Sequence, residues 1–151
     1  MSRVLVRKFR AALDVVRAIR VVSHARRTVA VRPIGALISR DESLRVPPGI
    51  SPDRQLILLP LAESRRGDRW GSAVDRALRW LPGDSACLVR ATALRDLLVA
   101  DGARGAVVRI GVRRGGAGFE AHAWVELDGT PIAEPVALRG AFSSLEGVTL
   151  R

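Results

Sequence analysis

Cys87 and His122 are the two residues of this chain whose types and order could provide a nucleophile and its base. A lone cysteine cannot form an internal disulfide, so it is either a buried apolar side chain or a reactive thiol. Cysteine followed by histidine is the order found in thiol hydrolases in which a helix carries the nucleophile and a sheet carries the base. The sequence therefore predicts thiol chemistry at Cys87 with His122 as the base. We expect it to need no metal or organic cofactor, since one cysteine and two histidines cannot make a zinc site of four such ligands.

A histidine base needs an acceptor that orients its second ring nitrogen, and four acidic residues near His122 are candidates: Glu120, Glu126, Asp128 and Glu134. At about 3.3 Å per residue of strand, Glu126 and Asp128 lie roughly 13 and 20 Å along the chain from the histidine. That is too far for contact. Glu120, at roughly 7 Å by the same rise, stays possible but is less well aimed.

Glu134 could reach His122 across a hairpin, and the turn type decides whether it does. A type I turn over Leu127 and Asp128, with Gly129 as the bulge residue, pairs 126 with 130 and places Glu134 opposite His122. A two-residue type I′ turn on Asp128-Gly129 instead predicts that Glu134 lies on the other face. The residues alone leave both turns open.

The segment around Cys87 predicts a helix that begins just before it. Asp84 or Ser85 offers an N-cap oxygen, and Gly102 is a plausible C-cap. Unpaired backbone N–H groups and the helix dipole stabilise an anion in the first helical turn, which favours a thiolate at Cys87. Arg90, one turn further on, could orient a substrate carboxylate or pair with an acid, although a structural role is the simpler expectation.

The remaining pattern predicts helices followed by an antiparallel sheet, an α+β arrangement. Helices are predicted over 3–27 and 69–81, and strands over 106–112, 119–127 and 130–136, with a loop over 113–118. Along the second strand, alternation gives two faces: Ala121, Ala123, Val125 and Leu127 on one, and His122, Trp124 and Glu126 on the other.

Charge and hydropathy limit the class of protein. The 151 residues suit one domain, 48% of them are apolar, and the net charge is +10. No apolar run approaches the ~18 residues of a membrane span, and charges interrupt the start as no secretory signal would allow, so we expect a cytoplasmic protein. Residues 1–32 are strongly basic, which would attract an anionic partner. Apolar side chains from Phe9 to Ile19 form a stripe that a partner could cover.

Two strings carry a resemblance to a known family: CLVRATAL at 87–94 and AHAWVELDG at 121–129. Together they resemble the transglutaminase-like leader peptidases of lasso-peptide biosynthesis, over roughly residues 69–150. The resemblance implies a papain- or transglutaminase-like fold and a Cys–His–acid triad that cleaves the leader from a ribosomally made precursor peptide. The acid of that family follows the histidine by twelve positions, which is Glu134 here, where aspartate is usual.

The resemblance also implies partners and a division of the chain. In fused members a strand-rich leader-recognition module precedes the peptidase, whereas residues 1–65 here read as basic and mainly helical. We therefore expect a stand-alone peptidase domain over 66–151. Its implied partners are the precursor peptide, a separate leader-recognition protein and, as a further candidate, the ATP-dependent lasso cyclase. The basic N-terminal helix is the candidate docking surface.

Two other functions are compatible with the residues. A transglutaminase or deamidase would use the same side chains, because a thioester can be resolved by an amine or by water. A non-enzymatic module could instead bind nucleic acid through the basic helix, with Cys87 buried. No interleaving of aromatic and basic residues supports that third reading, so we expect no nucleic-acid partner.

Overall fold

The computed structural model describes residues 3–31, 61–81, 87–116, 118–135, 138 and 141–144. Within these ranges, three helices precede a four-stranded antiparallel sheet, which confirms the predicted α+β class. The elements are α1 (Arg3–Val31), α2 (Leu61–Trp80), α3 (Cys87–Ala100), β1 (Ala106–Gly115), β2 (Gly118–Leu127), β3 (Thr130–Ile132) and β4 (Ser143–Ser144). The strand order is β3-β2-β1-β4.

The helices form where the apolar pattern predicts them, with different bounds. Helix α1 runs four residues beyond its predicted end, and α2 begins at Leu61 rather than near residue 69. Helix α3 ends at Ala100, and Gly102, whose φ of 95° is left-handed, caps it as predicted. The Gly102 N–H donates to the Val99 carbonyl at 3.0 Å, and the Ala103 N–H donates to the Leu98 carbonyl at 2.9 Å, as in a Schellman cap. The predicted N-caps Asp84 and Ser85 lie outside the described residues.

One apolar core lies between the helices and the sheet. Its members on the helices and strands include Ala18, Val22, Ala25, Trp70, Val74, Leu94, Leu97, Leu98, Val108, Val125 and Leu127. Helix α1 contributes small side chains at spacings of four and three, so its backbone approaches α2 and α3 closely. Its larger apolar side chains Phe9, Leu13 and Val16 remain mostly exposed.

The two hairpins differ from the sequence expectation. Strands β1 and β2 stay paired as far as Gly115 and Gly118, so the loop predicted over 113–118 is wrong. A cross-strand ion pair lies on the extended part of the hairpin, where the Arg113 Nε donates to Glu120 at 2.7 Å.

The turn between β2 and β3 has two residues, because Leu127 pairs with Thr130. Both turn residues are left-handed, with φ of 49° at Asp128 and 79° at Gly129, as a type I′ turn requires. The hairpin predicted at Asp128-Gly129 is confirmed, but the three-residue alternative is wrong. The return strand ends at Ile132 rather than near residue 136.

Among the described helices, none combines the length and apolar character needed to cross a membrane.

Candidate active site

His122 lies in β2 on the side opposite the core. Ala123, Val125 and Leu127 belong to the core, so the alternating residue His122 points to the other face, as predicted. Its Nε2 is 3.0 Å from the Glu134 Oε2. The carboxylate thus holds the hydrogen on Nε2, and Nδ1 is left as the ring nitrogen that can accept a proton.

Glu134 reaches His122 by a route that the hairpin register does not predict. Since Val125 pairs with Ile132, the same register carried three residues further would set Pro135, not Glu134, opposite His122. The strand ends first, however, and Ala133 adopts a left-handed φ of 52°. This single residue turns Glu134 to the histidine side of the sheet. The expectation that a type I′ turn keeps Glu134 from His122 is therefore wrong.

Helix α2 makes room for this reversal. A Cβ on Gly71 would overlap the Ala133 side chain, and a Cβ on Gly67 would lie 2.5 Å from the Ile132 Cγ2. The two glycines are four residues apart and share one helix face. Their missing side chains let the end of β3 lie directly against α2, at the point where the chain turns toward Glu134.

Arg90 on α3 holds the other side of the same carboxylate. Its Nη1 donates to the Glu134 Oε1 at 3.0 Å, and its Nη2 donates to the Ala133 carbonyl at 2.8 Å. Its Nε donates to the Asp75 Oδ1 at 2.8 Å. Burial disfavours the guanidinium charge, but hydrogen bonds and attraction from Asp75 and Glu134 outweigh burial, so the pKa of Arg90 lies above its ordinary value.

Cys87 is the first residue of α3, and its thiol is free and half-buried. The backbone N–H groups of a first helical turn lack partners within the helix, so this turn can receive an anion. Helix α3 packs on β2, the strand that carries His122. Arg90 follows Cys87 by three residues and contacts Glu134, so the first turn of α3 is joined to the carboxylate that holds the histidine.

Two aromatic rings lie against the His122 imidazole. The Trp124 ring stacks at a centroid distance of 6.2 Å, and the Phe142 ring lies at 5.2 Å. The Trp124 Nε1 donates to Glu126 at 2.9 Å, and a Cβ on Gly111 would lie 2.8 Å from the same indole, so this ring is closely held. These contacts restrict rotation of the imidazole and keep its nitrogens aimed.

The other candidate acids have different partners. Glu120 is bound by Arg113 near the distal end of the hairpin. Glu126 accepts hydrogen bonds from Trp124 and from Arg109, the latter at 3.0 Å. Asp128 is an exposed residue of the type I′ turn. Of the four acids considered from sequence, Glu134 is the one whose carboxylate the structure places on His122.

Sequence reasoning missed Asp75 and Phe142. Neither carries a local signal, because Asp75 is one carboxylate among several on α2 and Phe142 lies in a short segment beside β4. Arg90, in contrast, did carry a local signal in the sequence. An arginine between the buried Val89 and Ala91 needs a buried partner of opposite charge.

Metal binding finds no support in the described ranges, where no three histidine, cysteine or acidic side chains come together as ligands.

Comparison with known families shows a match over most of the chain. The family profile described as the transglutaminase-like superfamily matches residues 4–146, nearly the whole chain. No curated protein and no solved structure matches this chain significantly.

Proposed function

This chain belongs to the transglutaminase-like superfamily, and on that premise we propose that it is a cysteine peptidase that removes the leader from a ribosomally made lasso precursor peptide. The observation that carries the proposal is the 3.0 Å contact between His122 and Glu134. It supports Glu134 as the acid of a Cys87–His122–Glu134 triad, the position that the resemblance implies. Glutamate reaches the imidazole where the family usually has aspartate.

The proposed mechanism follows thiol acyl transfer. The His122 Nδ1 takes the proton of the Cys87 thiol, and the thiolate adds to the carbonyl carbon at the leader–core junction. Backbone N–H groups of the first turn of α3 stabilise the oxyanion. His122 then gives its proton to the departing core amine, leaving the leader as a thioester on Cys87. Water, deprotonated by His122, hydrolyses the thioester and restores the thiol, while Glu134 stabilises the imidazolium.

Mass spectrometry of a matching precursor incubated with the chain and a leader-recognition protein tests this reaction. We expect separate leader and core peptides, and the intact precursor with Cys87→Ala. Cross-linked or deamidated peptide would instead support the second candidate, a transglutaminase- or deamidase-type acyl transferase, which the family match equally allows. A precursor that wild type and Cys87→Ala leave equally intact would contradict the proposed thiol chemistry.

The proposed partner is a separate leader-recognition protein that docks on α1. Phe9 is 64% exposed and Leu13 is 52% exposed, so large apolar side chains face outward. On the same helix, a groove of ≈ 420 Å³ between α1 and α2 is flanked by Lys8 and Arg76 and bordered by Trp80. Apolar surface with basic flanks suits a partner segment that is apolar with acidic neighbours.

Phe9→Ser with Leu13→Ser is expected to weaken partner binding at least about tenfold, because both apolar contacts are lost. Folding should be unaffected, since both side chains are exposed. Isothermal titration calorimetry measures the change. The matched control is Val31→Ser, at the far end of the same helix and 80% exposed, which should bind as wild type. Equal binding by the double variant and wild type would place the partner elsewhere.

A further inference from the structure

We propose that Arg90 is a positioning residue of the active site. Its permanent positive charge lies beside the buried Glu134 carboxylate and holds it in the direction of His122 throughout the reaction. The inference rests on the thiol chemistry proposed above. It adds a residue outside the expected triad, from contacts that join the nucleophile-bearing helix to the acid.

The burial of Glu134 makes a counter-charge necessary. The residue is only 7% exposed, and a buried carboxylate without a positive neighbour is strongly disfavoured. His122 carries a positive charge during only part of the reaction, since it must accept and release a proton. Arg90 is charged at every step, because a guanidinium does not lose its proton in proteins. A positive charge therefore lies beside the carboxylate even when His122 is neutral.

The contacts of Arg90 also set the direction of the carboxylate. One donor nitrogen, Nη1, binds Oε1 of Glu134, which leaves Oε2 for the histidine. A second, Nη2, binds the carbonyl of Ala133, the left-handed residue that turns Glu134 toward His122. Asp75 holds the third nitrogen, Nε, and so fixes the plane of the guanidinium. A planar fork can make these contacts together, whereas a lysine ammonium is a single point charge.

The position of Arg90 on α3 connects these contacts to Cys87, the proposed nucleophile. Arg90 follows Cys87 by three residues, and such residues are neighbours on a helix surface. A displacement of the first turn of α3 would therefore move both the thiol and the donor that holds Glu134. We infer that Arg90 keeps the helix and the histidine–carboxylate pair in one geometry.

The rate of alkylation of Cys87 by iodoacetamide tests the proposal without a peptide substrate. Cys87 is the only cysteine of the 151 residues, so alkylation of this chain reports on that thiol alone. At pH 6 an ordinary thiol is less than about 1% ionised, so fast alkylation requires groups that stabilise the thiolate, and His122→Ala isolates the contribution of the histidine from that of the helix start. The same chain in urea gives the unassisted rate. We expect wild type to exceed that rate, and His122→Ala to lose the excess.

Arg90→Gln is expected to lower the alkylation rate about tenfold, and Arg90→Lys to restore little of it because the fork is absent. Asp75→Asn should give a smaller loss in the same direction. The matched control is Arg69→Gln, which removes an arginine that binds both oxygens of Asp14 at 2.7 and 2.6 Å, between α1 and α2. That variant should alkylate as wild type.

A double variant separates positioning from stability. If Arg90 acts through Glu134, Arg90→Gln should cause no further loss in a Glu134→Gln background, and the neutral pair should melt higher than Arg90→Gln alone. An equal loss in both backgrounds would overturn the inference and make Arg90 merely structural, as would wild-type alkylation by folded Arg90→Gln. If alkylation is independent of His122 in the first place, the proposed function fails instead.

Discussion

Cys87→Ala and His122→Ala are each expected to lower kcat/KM for leader release by on the order of 10⁴-fold or more, and to similar extents. In thiol hydrolases the nucleophile and its base act as one unit, so under the proposed function loss of either residue removes nearly all of the covalent route. Cleavage of the precursor followed by mass spectrometry measures the effect.

Cys87→Ser is the informative companion to these variants. A hydroxyl keeps the size and polarity of the site but ionises far less readily than a thiol, so this variant should stay close to the alanine variant. Circular dichroism must show wild-type folding, which is expected because Cys87 is only half-buried at a helix start. Substantial cleavage by Cys87→Ala would exclude the nucleophilic role, and the proposal with it.

Gly71→Ala is expected to destabilise the protein by about 1–3 kcal/mol, the usual effect of inserting a methyl into a packed position. The sign of the change in the free energy of unfolding is informative, because alanine in a helix ordinarily stabilises by nearly 1 kcal/mol relative to glycine. Here the new Cβ would overlap the Ala133 side chain. Thermal unfolding should show a Tm several degrees lower, and leader cleavage should fall because the backbone before Glu134 is displaced.

Ala133, whose side chain the new Cβ would overlap, provides the control variant. Adding Ala133→Gly removes the methyl that the new Cβ would meet, and glycine accepts the left-handed φ of 52° without strain. The double variant should therefore recover both Tm and cleavage. Ser72→Ala, at an exposed position of the same helix, should change neither. A Gly71→Ala protein that is more stable than wild type would mean that the end of β3 does not lie against α2.

Local patterns in the sequence account for much of the fold. Alternation in β2 correctly separated His122 from the core-facing Ala123 and Val125. Gly102 marked the end of α3, because a left-handed cap is most easily made by glycine. These features depend on residues that are near neighbours in the chain, so composition and spacing reveal them.

The sequence predicts a contact between His122 and Glu134 only with a three-residue turn, which the structure does not have. The sequence allowed two turns at Asp128-Gly129, and the structure has the type I′ turn that was expected to keep Glu134 away. Ala133 reverses that outcome with one left-handed residue. An alanine gives no signal of such a conformation, because it costs roughly 1–2 kcal/mol and persists only where the surroundings impose it.

By itself, then, the sequence determined which residue types could do chemistry, the α+β class and the face of β2 on which His122 lies. Tertiary structure alone decided how the carboxylate reaches the imidazole. That outcome depends on contacts of Gly71 with Ala133, and of Arg90 with Asp75 and Glu134. Arg90 lies 15 positions from Asp75 and 44 from Glu134 along the chain, and Gly71 lies 62 positions from Ala133. No local period encodes such pairings, because they arise only when the helices pack against the end of β3.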